Sequence, residues 1–166
     1  MSGKEHSGIE NAEASLFSGA TWIFIVEQDH VSDAAHEYIT LIASLGTHII
    51  HLSAEQHDRL VAWTSHLPQM VSTAFAAVLQ DEAEVEEKAH ITRVQMQQVG
   101  GRALREMTRI AASPYSMWRD IALTNAANIE DAILKLEQRL THIRENLRTP
   151  ELRAEFERAA KFKKSD

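Results

Sequence analysis

The sequence predicts a mainly α protein in two parts, a short strand-helix-strand segment over residues 1–52 and a helical domain over residues 53–166. Two observations carry that expectation. From Ser53 onward apolar residues recur at helical spacing, ending in a long seam of isoleucine and leucine. Before Ser53, two short runs, residues 20–26 (ATWIFIV) and 47–52 (THIIHL), have the β-branched and aromatic density of buried strands.

Residues 1–18 are polar and punctuated by glycine, and the first strand follows at 20–26. Ser32 or Asp33 can cap the next helix, because a side-chain oxygen there accepts a hydrogen bond from an N–H that the first turn leaves unpaired. That helix, to about Ser44, carries Ala35, Tyr38, Ile39, Ile42 and Leu45 at helical spacing, and Gly46 ends it before the second strand. Ser53 and Gln56, three apart, form a capping box that opens the helical part. Pro68 lacks an N–H and its ring meets the preceding turn, so it should kink or divide the first long helix after Ser65-His66-Leu67.

The stretch at 81–98 (DEAEVEEKAHITRVQMQQ) begins strongly acidic, as suits a solvated face or connector, and Gly100-Gly101 breaks it. A short helix through Arg109 follows. Ser113 is then placed as the cap, and Pro114 near the first position, of one long final helix. On it Ile129, Ile133, Leu136, Leu140, Ile143 and Leu147 are spaced 4, 3, 4, 3, 4, a heptad seam that needs a partner helix. Periodicity alone leaves open whether that partner is in the same chain or a second copy. After Thr149 and Pro150, ELRAEFERAAKFKKSD reads as a short amphipathic helix with a basic tail.

Composition narrows the function classes. The chain has 166 residues, 44% of them apolar, enough for one compact core. Seventeen basic against 24 acidic residues give a net charge of −7 and no basic stripe, which argues against nucleic acid. No cysteine is present, so disulfide and thiolate chemistry are excluded, and no leader-like or membrane-length apolar run occurs; the expectation is a soluble cytoplasmic protein. Nine histidines invite a metal site, but there is no HExxH, and His48 and His51 on the second strand point to opposite faces, so no metal is expected. Gly100-Gly101 follows a helix and has no G-x-G-x-x-G frame, so it is not a phosphate cradle.

Several unusual strings recur in order: His57-Asp58, SHLPQ at 65–69, the Gly-Gly step, TRIAAS at 108–113 and MWRDI at 117–121, within GGRALREMTRIAASPYSMWRDIALTN at 100–125. In this order they resemble the C-terminal half of the prephenate and arogenate dehydrogenases of tyrosine biosynthesis, NAD- or NADP-dependent enzymes that oxidise and decarboxylate a cyclohexadienyl acid. The N-terminal MSGKEHSGIENAEASLF resembles the segment of that family that begins with His-Pro. The resemblance implies a helical dimerisation domain preceded by a strand-helix-strand remnant of a Rossmann-like domain, with the sheet edges exposed. It places the family's catalytic His two residues upstream of Met1. With no dinucleotide fingerprint in the sequence either, the expectation is that NAD or NADP serves the intact enzyme, does not bind this chain alone, and that the chain alone does not turn over.

The resemblance also nominates site residues. His66, in SHLP, would line the substrate pocket; read from its context alone it is equally a half-buried histidine bonded to a nearby carbonyl. Arg109 would grip a carboxylate of the dianionic substrate with two parallel hydrogen bonds. In the apolar context MTRIAA it would be costly to bury unpaired, and its structural alternative is an ion pair with Glu106 or Asp120. Ser113 and Trp118 would lie near substrate, Trp118 serving equally as core, while Glu5 would approach the pocket and the partner subunit, or stand as a solvated acid. Departures from the family pattern at Glu106, Pro114 and Tyr115 put the pocket lip in doubt. In the family the heptad seam lies in a two-fold interface, which implies a homodimer. The rival reading is a stand-alone helical module that binds an aromatic acid or a full-length dehydrogenase, and a third is a ligand-free structural dimer.

Overall fold

A computed structural model of the chain describes residues 8–25, 31–86 and 92–164. It divides into two compact units, Met1–Leu60 and Val61–Asp166.

In the first unit, strands β1 (Thr21–Ile25) and β2 (His48–Leu52) pair in parallel, with Thr21 opposite His48 and Ile25 opposite Leu52. Helix α1 (Asp33–Ser44) makes the crossover. The Ala35 N–H donates to Ser32 Oγ at 3.3 Å, so Ser32 rather than Asp33 is the cap. Gly46, at φ 78°, takes the left-handed turn that a residue with a side chain would strain to adopt. The Phe24 ring meets the edge of Tyr38 at 6.0 Å and stacks on His51 at 6.1 Å, so one β1 side chain ties the sheet to α1. Helix α2 (Ala54–Val61) opens with the expected reciprocal box: Gln56 N–H donates to Ser53 Oγ at 3.1 Å, and Ser53 N–H donates to Gln56 Oε1 at 2.9 Å.

The second unit is helical: α3 (Leu67–Glu86), α4 (Arg93–Thr108), α5 (Tyr115–Thr124), α6 (Ala126–Glu145) and α7 (Pro150–Lys163). Pro68 neither ends nor divides the helix as expected. A single π turn, Ala62–His66, precedes it, closed by the Leu67 N–H on the Ala62 carbonyl. The wider turn offers a way around the clash that a proline ring makes with the carbonyl four residues back, and the helix continues into α3. Within this turn Trp63 is 45% exposed, whereas Ala62 and His66 are buried.

Helix α4 begins at a capping box the sequence reading missed. Gln95 N–H donates to Thr92 Oγ1 at 3.2 Å and Thr92 N–H to Gln95 Oε1 at 2.8 Å. Gly101 leaves helical geometry at φ 56°, ψ −140°, so α4 is two helical segments meeting at the Gly-Gly step, as the sequence predicts. Two expectations further along are corrected. Ser113 caps nothing; Pro114 occupies the cap position and makes no side-chain bond because it has none to give. The long final helix is two helices, divided at Asn125, whose backbone leaves helical geometry at φ −120°, ψ 26°.

The heptad seam is likewise divided. Helix α6 packs on the π turn and on α3, burying Ile129 and, one position off the seam, Ala132. Beyond that contact Leu140 and Leu147 are 55% and 60% exposed, and Leu147 lies past the end of α6. Helix α7 is joined to α6 by Arg139, whose guanidinium meets Glu155 at 2.8 Å. Among the described residues no helix is long and apolar enough to cross a membrane.

Candidate functional site

The second unit gathers its buried polar side chains on one face of the helix that runs through the π turn into α3. His66, Gln69 and Ser72 are all buried there, spaced three apart. Burial of a polar group is tolerable only when it is paired, and the partners define the site.

His66 faces α5 and the α5–α6 joint. Its ring lies edge-on to Trp118, with centroids 5.9 Å apart and planes at 87°. Its Nδ1 lies 3.2 Å from Asn125 Nδ2, and Asn125 is itself buried. Asn125 Oδ1 in turn accepts from Asn128 Nδ2 at 2.7 Å. Gln69 Nε2 donates to the Ile110 carbonyl at 3.0 Å and to Thr73 Oγ1 at 3.1 Å. The same carbonyl accepts the Ser113 N–H at 3.1 Å, which closes the 3₁₀ turn Arg109–Ala112. One buried amide thus fastens to α3 the turn that begins with Arg109 and leads into Ser113.

Of the residues nominated from sequence, His66 and Trp118 are in direct ring contact. Arg109 and Ser113 flank one short turn held to the same helix, and Glu5 lies outside the described residues. Arg109 is exposed and already engaged within the chain. Its two suggested ion-pair partners are engaged with neighbours, Glu106 with Arg102 at 3.1 Å and Asp120 with Arg119 at 2.7 Å. Trp118 is only half-buried, but its Nε1 is enclosed and, among the described residues, has no hydrogen-bond partner. Sequence reasoning did not single out Gln69 or Asn125, although both stand inside the quoted strings. No group of three histidine or carboxylate side chains among the described residues is arranged to hold a metal ion.

Dinucleotide sites place a glycine-rich turn between strand and helix so that backbone N–H groups reach the pyrophosphate. The sequence between β1 and α1, residues 26–32 (VEQDHVS), contains no glycine.

A parallel strand-helix-strand unit is followed by a helical unit in which a buried histidine meets a half-buried indole and wide apolar faces stand uncovered. The family model described as prephenate dehydrogenase, dimerization domain, matches residues 53–161, and the chain belongs to that family. It is 33% identical over 131 residues to the prephenate dehydrogenase of Bacillus subtilis, covering 79% of this chain and 33% of that protein. With the cyclohexadienyl dehydrogenase of Zymomonas mobilis it shares 31% identity over 127 residues, 76% of this chain and 41% of the other. Among solved structures it resembles Aquifex aeolicus prephenate dehydrogenase in complex with hydroxyphenyl propionate and NAD+, at TM-score 0.71 and 26% identity, covering 99% of this chain and 54% of that one. The Synechocystis arogenate dehydrogenase shares the fold, at TM-score 0.77 and 21% identity over 98% of this chain and 58% of the other. The chain therefore spans between a third and about three fifths of the length of these relatives.

Proposed function

We propose that this chain is the substrate-holding and dimerisation portion of a prephenate or arogenate dehydrogenase, an enzyme of tyrosine biosynthesis that carries out NAD(P)-dependent oxidative decarboxylation. The observation that carries the reading is the contact of buried His66 with the Trp118 ring, together with the Arg109–Ala112 turn that Gln69 ties to the helix carrying His66. An aromatic or cyclohexadienyl acid needs an apolar wall for its ring, a neutral polar group for a ring substituent and a fixed cation for its carboxylate. Trp118 supplies the wall, His66 the polar group and Arg109 a fork that can take a carboxylate with two parallel hydrogen bonds. Ser113, at the other end of the turn, contributes a hydroxyl, and Glu5 is proposed to approach the pocket and the second subunit. The cofactor, NAD or NADP, is assigned to the intact enzyme, in keeping with the absence of a G-x-G-x-x-G string from this sequence.

Within this division of labour the chain's task is binding. Arg109 must hold the carboxylate no more tightly in the ground state than in the transition state, since a grip relaxed during decarboxylation would slow the reaction. The test is thermal unfolding of the 166-residue chain with and without hydroxyphenyl propionate. Ligand should raise Tm, and Arg109→Ala should remove the rise, a loss of about 1.5–3 kcal/mol for a hydrogen bond to a charged group. An unchanged Tm at ligand concentrations that saturate the A. aeolicus enzyme would overturn the site. Turnover by the isolated chain with NAD+ or NADP+ would overturn the binding-only role.

A further inference from the structure

The turn that begins with Arg109 is held from a distance. Helix α4 ends at Thr108, and Arg109–Ala112 makes one 3₁₀ turn before Ser113 and Pro114 lead into α5. A lone 3₁₀ turn has little to fix it internally, because its hydrogen-bond geometry is poorer than that of an α-helix. This one packs on α3, where the Gln69 side chain reaches it from 41 positions earlier in the chain. The point Gln69 grips is the Ile110 carbonyl, the same oxygen on which the Ser113 N–H closes the turn; the two bonds are 3.0 and 3.1 Å long. A carbonyl oxygen has two lone pairs and takes both. That partner also sets the direction of the Gln69 amide. A backbone carbonyl only accepts, so the atom facing it is Nε2, and Nε2 also donates to Thr73 Oγ1 at 3.1 Å. Gln69 is 4% exposed, so water competes little for these bonds.

We propose that Gln69 is a positioning residue for acid recognition: by gripping the Ile110 carbonyl it sets where Arg109, one residue earlier, projects relative to His66. The helix that runs through the π turn into α3 carries both His66, which meets the Trp118 ring, and Gln69 three residues on. A ligand whose ring lies against His66 and Trp118 and whose carboxylate reaches Arg109 needs those two ends at one separation, since a hydrogen bond weakens steeply when misaligned. Arg109 is engaged within the chain as well. Gln69 acts one peptide further on, at the backbone from which that side chain projects. Left to its own i→i+3 bond, the turn would spread the guanidinium over more positions, and binding would have to offset the cost of ordering it.

The positioning role rests on the substrate-pocket reading above; the tie itself does not. Gln69→Met keeps the length and the burial but has no N–H to donate. The Ile110 carbonyl keeps the Ser113 N–H and the exposed Thr73 can turn its hydroxyl to water, so neither former partner is left unpaired. Hydrogen exchange of the full chain, followed in ¹⁵N spectra without ligand, should show the Ser113 amide exchanging about tenfold faster in Gln69→Met, the size of one net hydrogen bond, with the amides of α6 unchanged. Equal protection of Ser113 in the two proteins overturns the proposal. Titration with hydroxyphenyl propionate, read from the same spectra so that weak affinities are measurable, then tests the role. Gln69→Met should weaken binding about tenfold in the parent but less than about twofold in Arg109→Ala, because a residue that acts through Arg109 has nothing to place once the guanidinium is gone. Equal weakening in both backgrounds is what a merely structural role gives, and it overturns the proposal. Unweakened binding in Gln69→Met also overturns it and leaves the pocket reading standing. No binding by the parent chain, with Ser113 protection still lost in the variant, would overturn the positioning role together with the pocket reading and leave a structural tie. If Gln69→Met fails to fold, Gln69→Asn, which keeps the amide but falls one methylene short of Ile110, is held to the same readings.

Discussion

Ser72 lies on the same buried face as His66 and Gln69, 2% exposed, and its hydroxyl has no partner among the described residues. A buried hydroxyl without a hydrogen bond costs about 1–3 kcal/mol, whereas an alanine of nearly the same shape leaves nothing to satisfy. Ser72→Ala should therefore hold or raise the midpoint of urea unfolding; a loss above about 1 kcal/mol would mean the hydroxyl is paired after all. Gln69, whose Nε2 donates one bond to the Arg109–Ala112 turn and one to its own helix, marks the opposite case, a buried polar group that is paired. From sequence the two are indistinguishable, since both are polar residues at helical spacing. His66 was nominated through the resemblance carried by SHLPQ, and from its context alone it read as the part-buried, hydrogen-bonded histidine that the structure contains. Asn125 was not, because an asparagine near a helix joint reads as an ordinary cap until its distant partner is known.

At the scale of elements, the two strands, α1 and the Ser53 box were legible because each rests on local chemistry: β-branched runs, a serine cap, a glycine stop and a reciprocal box. The errors came where distant contacts decide. Pro68 was expected to kink or divide the helix; the structure places a π turn directly before it, on which α6 packs, and the helix is not divided. The division at Asn125 had only a weak propensity signal, the Thr124-Asn125 pair set between stronger helix formers. Gly101 shows what a real kink residue requires. Its φ of 56° with ψ of −140° is a conformation that side chains avoid, and a Cβ there would touch nothing within 4 Å. The cost of Gly101→Ala is thus purely backbone, about 1–3 kcal/mol, and should appear as a lower denaturation midpoint with an unchanged slope. A variant as stable as the parent would show that α4 can straighten through residue 101.

For the second unit as a whole, the balance of buried and exposed apolar surface does not close within one chain. Among the described residues its buried apolar side chains are Ala62, Ala83, Ile129 and Ala132, three of them alanine. Meanwhile Leu140 is 55%, Leu147 60%, Phe156 71% and Phe162 87% exposed, beside Val78, Val85, Val94 and Met107 at 50% or more. Each large apolar side chain left in water forgoes about 1.5–3 kcal/mol, so this many uncovered residues exceed the whole stability of a typical domain. Small residues at the α6–π-turn contact let the backbones approach but bury little area. The C-terminal half of the seam, open where its N-terminal half is packed, is the natural place for the same half of a second copy, by the self-complementary pairing of a two-fold axis. Light scattering at micromolar concentration should give a dimer, and Tm should rise with protein concentration because folding and association are linked. Leu140→Asp would set a carboxylate against its symmetry mate or the facing seam, and should lower both the dimer fraction and Tm. A monomer whose Tm ignores concentration would overturn the two-fold seam. A dimer untouched by Leu140→Asp would instead move the interface away from α6, to the apolar side chains of α3 and α4.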